Sequence, residues 1–281
     1  NFIFNCRQCA VSLTLHQDET LRCHYCDFKQ NMPISCSKCD GKKFIKKGVG
    51  TQQIVSVLAK LFPAARIARA DLDTTSKKNE WQKTVHKFTN KKLDIIVGTQ
   101  TITKGYHFPG VTLVGVLWAD INLHLPFFNA AEVALQQILQ VAGRAGRQAQ
   151  ESEVIIQTML PHPIFNYLQE ELYLQFYTNE IQNRTLTHYP PVVRLVEIEL
   201  RHFAEKVVEQ EIYSFYQALE KKYPEISNTI EILGPVKPIL SKLKNWHIRK
   251  IYLKSIDMIH LIKLFKLINQ SNYKSKVFFT P

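Results

Sequence analysis

The sequence has 281 residues, enough for about two domains and a sizeable core, and its 45% hydrophobic content is ordinary for a globular protein. Its longest apolar runs, such as 111–119, are far shorter than a membrane span, and no secretory leader pattern opens the chain. The net charge of +12, concentrated between Pro235 and Lys276, indicates a polyanionic partner, with nucleic acid favoured over an anionic membrane. A solvated lysine-rich surface is the alternative. The start at Asn1 rather than Met predicts a piece of a longer protein.

All six cysteines lie within the first 39 residues, in three Cys-x2-Cys pairs. A disulfide scaffold would spread its cysteines along the chain, so this clustering indicates metal ligation in a reducing cytosol. Two pairs form the pattern C-x2-C-x13-C-x2-C, which is close to that of a zinc ribbon with one tetrahedral Zn²⁺. These four cysteines are Cys6, Cys9, Cys23 and Cys26.

The third pair, Cys36 and Cys39, leaves the ligand count open, because six thiolates do not complete two tetrahedral sites. Either one pair is a bystander, or a partner pair lies upstream of Asn1. His16 and His24 could substitute as ligands, although solvated loop histidines are the simpler interpretation.

Strands and helices alternate in the next segment, which predicts an α/β fold with a parallel sheet. We predict strands at 44–47, 66–69, 93–97, 111–118 and 154–158. We also predict three helices: the first is capped by Thr51, the second spans 78–89, and the third begins near Asn129. The glycine-rich turn before Thr51 is not a Walker A loop, because no Gly-Lys-Ser/Thr follows it. The loop 98–109 follows a buried strand and carries hydroxyl, amide and lysine groups suited to phosphates.

The stretch from Gln140 to Arg147 ends the helix with Arg144 and Arg147 on nearly the same side of one turn, each beside a glycine. A pair of planar guanidinium groups can stabilise a transferring phosphoryl group, as in NTPases. A capped helix C-terminus with basic residues near the dipole is the alternative.

Beyond Leu160 the apolar spacing predicts one long helix to about Leu186, which Tyr189-Pro190-Pro191 ends. Strands at 192–200, 230–233, 249–254 and 277–279, helices at 205–223 and 257–269, and a turn at 234–238 follow. The order β-α-β-β-α-β is that of a ferredoxin-like α+β domain. Its basic face, interleaved with Trp246, His247 and Tyr252, suits single-stranded or forked DNA, although Trp246 could instead simply pack on the sheet. The candidate DNA-binding residues are Lys244, Trp246, Arg249 and Lys250.

Several motifs together carry a family resemblance. They are Gly48-Val49-Gly50-Thr51, Asp71-x-Asp73-Thr74-Thr75, Val97-Gly98-Thr99-Gln100 with Lys104-Gly105 and Phe108-Pro109, and the stretch 140–147. In this order they resemble the second RecA-like lobe of superfamily 2 helicases. With the cysteine-rich segment, and with Glu180-x3-Arg184 before Tyr189-Pro190-Pro191, the whole chain resembles the PriA family of primosomal replication-restart helicases.

The resemblance implies roles for particular residues. Gln140, Arg144 and Arg147 match helicase motif VI, whose arginines reach the γ-phosphate held by the first lobe. Motif V, which couples the nucleotide cleft to the DNA track, is matched by Thr99, Gln100, Lys104 and Gly105. The family binds two zinc ions through four nested Cys-x2-Cys pairs. This implies an inner site of Cys6, Cys9, Cys23 and Cys26, and half of an outer site in Cys36 and Cys39.

The resemblance also implies the domain organisation: a zinc-binding region at 1–43, helicase lobe 2 at 44–162, a helical connector at 163–191 and a DNA-binding domain at 192–281. The expected function is ATP-dependent 3′→5′ unwinding of DNA at stalled or abandoned forks, leading to primosome assembly, with Zn²⁺, ATP and Mg²⁺ as cofactors. The expected partners are branched and single-stranded DNA, primosome proteins and single-stranded DNA-binding protein, in the bacterial cytoplasm at the nucleoid and without a membrane.

Four positions depart from the family pattern: Gln52, His107, Asn129 and Val133. The 281 residues also contain no Walker A motif, so the chain by itself is expected not to hydrolyse ATP. The alternative is a non-enzymatic module that binds DNA through zinc-dependent elements and assembles the primosome.

Overall fold

The structure is a computed structural model that describes residues 3–16, 18–44, 50–71, 78–99, 102, 108, 110–143, 152–222, 224, 230–268 and 270–281. The chain divides into two compact units, Asn1–Lys46 with Ile181–Pro281 and Lys47–Glu180. The first unit therefore combines the two ends of the sequence.

The first unit begins with a small antiparallel sheet. Its strands are β1 (Thr14–Leu15), β2 (Thr20–Arg22) and β3 (Lys29–Asn31), in that order. Both pairings are antiparallel, and Leu21 of β2 is buried between its neighbours. Cys6 and Cys9 precede β1, and Cys23 and Cys26 lie between β2 and β3.

A larger antiparallel sheet forms the rest of the first unit. Its elements are β8 (Arg194–His202), α5 (Glu205–Lys222), β9 (Glu231–Val236), β10 (Lys242–Leu243), β11 (Trp246–Ser255), α6 (Met258–Leu267) and β12 (Lys276–Thr280). The strands lie in the order β9-β11-β8-β12, and the short β10 pairs with the start of β11. All of these pairings are antiparallel. The observed order of strands and helices is the predicted β-α-β-β-α-β, with β10 as an addition.

Both helices of this sheet cover one of its faces. Alternate residues of β8 and β11 are fully buried on that face, because side chains of a strand point to opposite sides in turn. The buried residues are Val196, Ile198, Leu200, Ile251 and Leu253 from the strands, with Val208, Ile212, Phe215, Leu219, Leu261 and Leu264 from the helices. The other face of the sheet carries the polar and aromatic members of the same alternation.

The second unit contains two parallel strand pairs. Its elements are α1 (Thr51–Leu61), β4 (Ile67–Ala70), α2 (Lys78–Thr89), β5 (Ile95–Gly98), β6 (Leu113–Val116), α3 (Ala130–Ala142) and β7 (Glu153–Ile156). β4 pairs with β5 and β6 with β7, and each pair is parallel. The mixed α/β fold with parallel strands is thus confirmed. Among the described residues, however, the two pairs form separate sheets rather than one. The predicted strand at 44–47 lies largely outside the described residues.

Helix α4 (Tyr173–Leu186) is shorter than predicted. Two 3-10 helices, Pro163–Tyr167 and Glu170–Leu172, replace the first part of the predicted long helix. Pro163 begins the first of them, where His162 Nδ1 accepts a hydrogen bond from the backbone of Ile164. Ile164 and Phe176 nevertheless bury in the same core, so the apolar spacing reports a shared core rather than one continuous helix.

Two further local predictions are wrong. Thr51 is the first residue of α1 rather than its cap; Gly50 occupies the cap, and the Thr51 hydroxyl donates to Asp71 at 2.6 Å. The predicted turn at 234–238 is partly strand, because β9 continues through Val236 with Gly234 at a φ of 115°. A Cβ at Gly234 would lie 3.1 Å from the carbonyl oxygen of Lys250.

No described helix combines the length and the apolarity that crossing a membrane requires.

Candidate zinc centre and nucleic-acid surface

Four cysteine side chains converge beside the small sheet of the first unit. The Sγ atoms of Cys6, Cys9, Cys23 and Cys26 all lie within 4.8 Å of one another. Cys6 Sγ and Cys26 Sγ are 3.5 Å apart. Zinc–sulfur bonds of about 2.3 Å in a tetrahedron place the sulfurs roughly 3.8 Å apart, so the four thiols fit one zinc ion. This is the cluster that the cysteine spacing predicted.

Backbone N–H groups point at the sulfurs in the manner of a zinc knuckle. Gln8 N–H donates to Cys6 Sγ at 3.4 Å, and Lys38 N–H donates to Cys36 Sγ at the same distance. Burial opposes ionisation of Cys23, but N–H groups of Tyr25 and Cys26 and the neighbouring thiols outweigh it and lower the pKa of Cys23. Such bonds favour the thiolate, which is the form that binds a metal.

The remaining candidate ligands lie apart from this cluster. Among the described residues, the potential metal-binding group contains only the four cysteines named above. Cys36 is buried and Cys39 is exposed. The His16 and His24 rings pack on each other, with centroids 5.3 Å apart.

In the second unit, four motif positions meet at the carboxyl end of β4 and β5. Asp71 follows β4 and accepts the Thr51 hydroxyl, while Thr99 follows β5 and donates its N–H to the carbonyl of Ala70 at 3.3 Å. Gly98 brings the two strand ends together, since a Cβ there would lie 2.4 Å from the Ala70 carbonyl oxygen. In parallel α/β sheets the ligand-binding loops occur at this end of the strands.

Helix α3 carries one motif residue on its exposed side. Ala134, Leu135 and Ile138 bury against the core that includes Phe176. Gln140 is exposed and lies one helical turn after Gln136. The packing of the opposite face therefore fixes the direction in which Gln140 points.

The open face of the larger sheet carries stacked aromatic and cationic side chains. The Phe203 and Trp246 rings have centroids 3.9 Å apart, and Lys276 Nζ lies 4.8 Å from the Trp246 centroid. Arg201 lies over the Phe278 ring at 4.5 Å. Phe203 is 59% exposed. Arg201, Phe203, Trp246, Lys276 and Phe278 are called the stacking face below.

The structure separates the predicted DNA-binding residues. Arg249 is buried on the helix-covered face, where its guanidinium pairs with Glu209 and, at 2.9 Å, with Glu205 of α5. Lys250 points to the open face and pairs with Glu197 at 2.7 Å and Glu199 at 3.4 Å. Lys244 is exposed, and Trp246 belongs to the stacking face.

Arg201, Phe203, Lys276 and Phe278 were missed by the sequence analysis. The signal for Lys276 and Phe278 was the alternation of their strand, since Val277 and Phe279 pack on the core. The position of Lys276 directly opposite Arg201 on the neighbouring strands β12 and β8 could not be predicted from the sequence, because it depends on the strand order.

Two protein-family models match the chain. One, described as the PriA DNA helicase Cys-rich region (CRR) domain, matches residues 6–30, and one described as the helicase conserved C-terminal domain matches residues 25–149. The replication restart protein PriA of Bacillus subtilis is 35% identical over 281 residues, or 98% of this chain. That of Borreliella burgdorferi is 34% identical over 279 residues, again 98% of this chain. The chain belongs to the PriA family.

The chain spans only part of its PriA relatives. It covers 34% of the Bacillus subtilis protein and 41% of the Borreliella burgdorferi protein. PriA of Chlamydia trachomatis is 41% identical over 199 residues, which are 69% of this chain and 26% of that protein.

The PriA matches agree with the geometry of the metal cluster. The cysteine-rich match at 6–30 contains all four clustered cysteines and ends before Cys36. A zinc ribbon followed by a helicase C-terminal domain is therefore the organisation of the first half of the chain.

Several PriA motif residues lie outside the described residues. These are Gln100, Lys104, Gly105, His107, Arg144 and Arg147. Of the other three departures, Gln52 is in the first turn of α1, Asn129 precedes α3, and Val133 donates its N–H to the Asn129 carbonyl at 3.0 Å.

Proposed function

We propose that this chain is the C-terminal part of an ATP-dependent 3′→5′ DNA helicase that recognises stalled or abandoned replication forks and restarts replication by primosome assembly. The observation that carries the proposal is the succession, in one chain, of a PriA cysteine-rich region and a helicase C-terminal domain. Relatives named replication restart protein PriA, similar over 98% of the chain, support it.

In this proposal the helicase lobe acts on a nucleotide held by a first lobe. Arg144 and Arg147 contact the γ-phosphate, and Gln140, on α3, belongs to the same motif. Guanidinium groups aimed at a transferring phosphoryl group typically contribute about 10³–10⁵ in rate. Thr99, Gln100, Lys104 and Gly105 couple the nucleotide cleft to the DNA. ATP and Mg²⁺ belong to the first lobe, whose Walker A motif is absent from these 281 residues.

The arginine assignment is tested in the full-length protein with Arg147→Ala. ATP hydrolysis stimulated by forked DNA should fall to background, because the negative charge of the transition state loses the guanidinium group that stabilises it. DNA binding should stay within a few-fold of the parent. Lys87→Ala, an exposed change on α2, is the matched control and should leave hydrolysis intact. Survival of hydrolysis in Arg147→Ala would overturn the assignment.

We propose further that residues 192–281 form a ferredoxin-like domain that contacts branched and single-stranded DNA. The order β-α-β-β-α-β and the antiparallel sheet support this. The stacking face supports DNA contact, because aromatic rings stack on bases and nearby cations neutralise phosphates. Lys244 contributes charge, whereas Lys250 is paired with Glu197 and Glu199, and Arg249 joins α5 to the sheet. Single-stranded DNA-binding protein and primosome proteins are the proposed protein partners.

A zinc-dependent DNA-binding and assembly module without ATPase activity is the second candidate. The absence of a Walker A motif from these 281 residues favours it for this chain taken alone. A Gly-x4-Gly-Lys-Ser/Thr motif encoded upstream of Asn1 would decide for the helicase.

A further inference from the structure

The first cysteine pair rests on a segment from the other end of the sequence. The hairpin β10–β11, with the two-residue turn Lys244–Asn245, lies against residues 7–10. Ala10 N–H donates to the Lys242 carbonyl at 2.9 Å, and Asn245 N–H donates to the Gln8 carbonyl at 2.8 Å. The two segments are thus joined by backbone hydrogen bonds on both sides of Cys9.

One hydrogen bond of this contact reaches a metal-binding sulfur directly. Lys244 N–H donates to Cys9 Sγ at 3.3 Å across a sequence separation of 235 residues. Cys6 and Cys36 instead accept from the residue two positions later in their own knuckles. Cys9 is therefore a ligand whose described backbone donor comes from outside the ribbon.

The hairpin also closes the apolar side of the cluster. Leu243 packs against the group formed by the buried Cys6, Cys9 and Cys23. Lys242 Nζ donates to the Arg7 carbonyl at 3.0 Å. Lys244 and Asn245 both have positive φ, 48° and 67°, as a two-residue turn of this kind requires. Such a conformation is unfavourable for a lysine, and it aims the Lys244 N–H at the sulfur.

We propose that the β10–β11 hairpin is an integral wall of the zinc site, so that zinc retention depends on the hairpin and order in the hairpin depends on zinc. The Lys244 N–H stabilises the Cys9 thiolate, and Leu243 excludes water from the sulfurs. Groups that support metal ligands in this way typically change metal affinity about 10–100-fold when they are altered. Trp246 follows the turn directly, so the same coupling reaches the stacking face.

The first test uses the 281-residue chain loaded with zinc and a chromophoric chelator. Leu243→Ala should release zinc at least about tenfold faster than the parent, because the sulfurs lose their apolar cover. Leu233→Ala is the matched control: it removes the same atoms from a half-buried position on β9, outside the cysteine cluster, and should release zinc at the parent rate. Release from Leu243→Ala at the parent rate would overturn the proposal.

The second test needs no substitution. Amide hydrogen exchange of the parent chain should accelerate at Ala10, Lys244 and Asn245 when zinc is removed, while amides between β8 and β12 keep their rates. Equal exchange at Lys244 and Asn245 with and without zinc would overturn the coupling. Because neither test involves ATP or DNA, a failure here is distinct from a failure of the proposed helicase function.

Discussion

Gly98 is the residue where the helicase lobe leaves no room for a side chain. A Cβ at this position would lie 2.4 Å from the Ala70 carbonyl oxygen and 2.7 Å from the Ile102 side chain. Real Cβ atoms do not approach backbone oxygens so closely, and the carbonyl belongs to the neighbouring strand. An alanine must therefore push β4 and β5 apart.

We expect Gly98→Ala to lower the free energy of unfolding of the second unit by about 1–3 kcal/mol, the usual cost of overpacking. Gly115→Ala on β6 is the control, because a Cβ there meets nothing within 4 Å. Denaturant unfolding followed by tryptophan fluorescence measures both. Equal midpoints for the two variants would contradict this account.

Asp120 supplies a pH-dependent contribution to stability. Burial of its carboxylate opposes ionisation, but N–H groups of Leu160 and Met159, donating at 3.0 and 2.9 Å, outweigh burial and lower the pKa of Asp120. A carboxyl whose pKa is lower in the folded state stabilises the protein above its unfolded pKa of about 3.9. That stabilisation is lost as the pH falls through the lower, folded value.

Asp120→Asn should therefore destabilise the second unit at pH 7 and make its stability less sensitive to acid below about pH 4. Urea unfolding of parent and variant at pH 7 and at pH 3.5 measures the difference. Asp40→Asn, an exposed change in the first unit, is the control. An unchanged acid sensitivity in Asp120→Asn would assign the carboxylate no role.

At the scale of elements, the strand alternation decides which basic residues can meet DNA. Arg249 and Lys250 are adjacent in sequence but lie on opposite faces of β11. Arg249 is committed to Glu205 and Glu209 of α5, and the Lys250 charge is shared with Glu197 and Glu199. Arg201 is likewise paired with Glu199, so net positive charge on the open face is expected near Lys276.

Trp246→Ala should weaken binding of single-stranded DNA by about 1–3 kcal/mol if one base stacks on the ring. Lys276→Ala should reduce the slope of log affinity against log salt by about 0.7, because one phosphate contact is lost. Lys266→Ala, an exposed change on α6 and on the covered side of the sheet, is the control. Fluorescence anisotropy across a salt series measures all three. Unaltered affinity in Trp246→Ala would remove the stacking face from the DNA interface.

Arg249→Ala tests a structural role rather than a DNA-binding one. We expect the first unit to lose about 1–3 kcal/mol of stability, in the range for breaking a buried ion-pair network. The loss falls below that of a fully buried pair because Glu205 and Glu209 are about half exposed and remain hydrated. Thermal unfolding measures the loss, and an unchanged melting temperature would contradict the structural role.

Much of the element order could be predicted from the sequence, because it depends on local patterns. The strand pair β4–β5 and helix α2 follow from short apolar runs and regular spacing, and the four clustered cysteines follow from Cys-x2-Cys spacing alone. The two-residue strand β10 could not be predicted, since it carries no periodicity and exists through its pairing with β11. Likewise, the bond from Lys244 to Cys9 joins positions that no local pattern relates.

At the scale of the whole molecule, zinc content is the property that distinguishes one complete site from two. The described residues bring four cysteines together, while Cys36 and Cys39 lie outside that group. We expect the chain to retain one tightly bound zinc ion per molecule. Elemental analysis after extensive dialysis measures the ratio, with Cys9→Ser as the control that should lose the ion. Two retained ions would contradict the assignment of Cys36 and Cys39 to a site completed by upstream cysteines.

The joining of the two sequence ends in the first unit has a consequence for synthesis. Lys242 follows Arg7 by 235 residues, so a ribosome adding about 5–20 residues per second needs roughly 10–50 s between them. During that interval the nascent ribbon has its own knuckles but lacks the hairpin that later seals it. In a newly made chain the four clustered cysteines are thus synthesised early, whereas the hairpin that packs on them is synthesised late. A polypeptide that ends before Lys242 lacks this hairpin altogether.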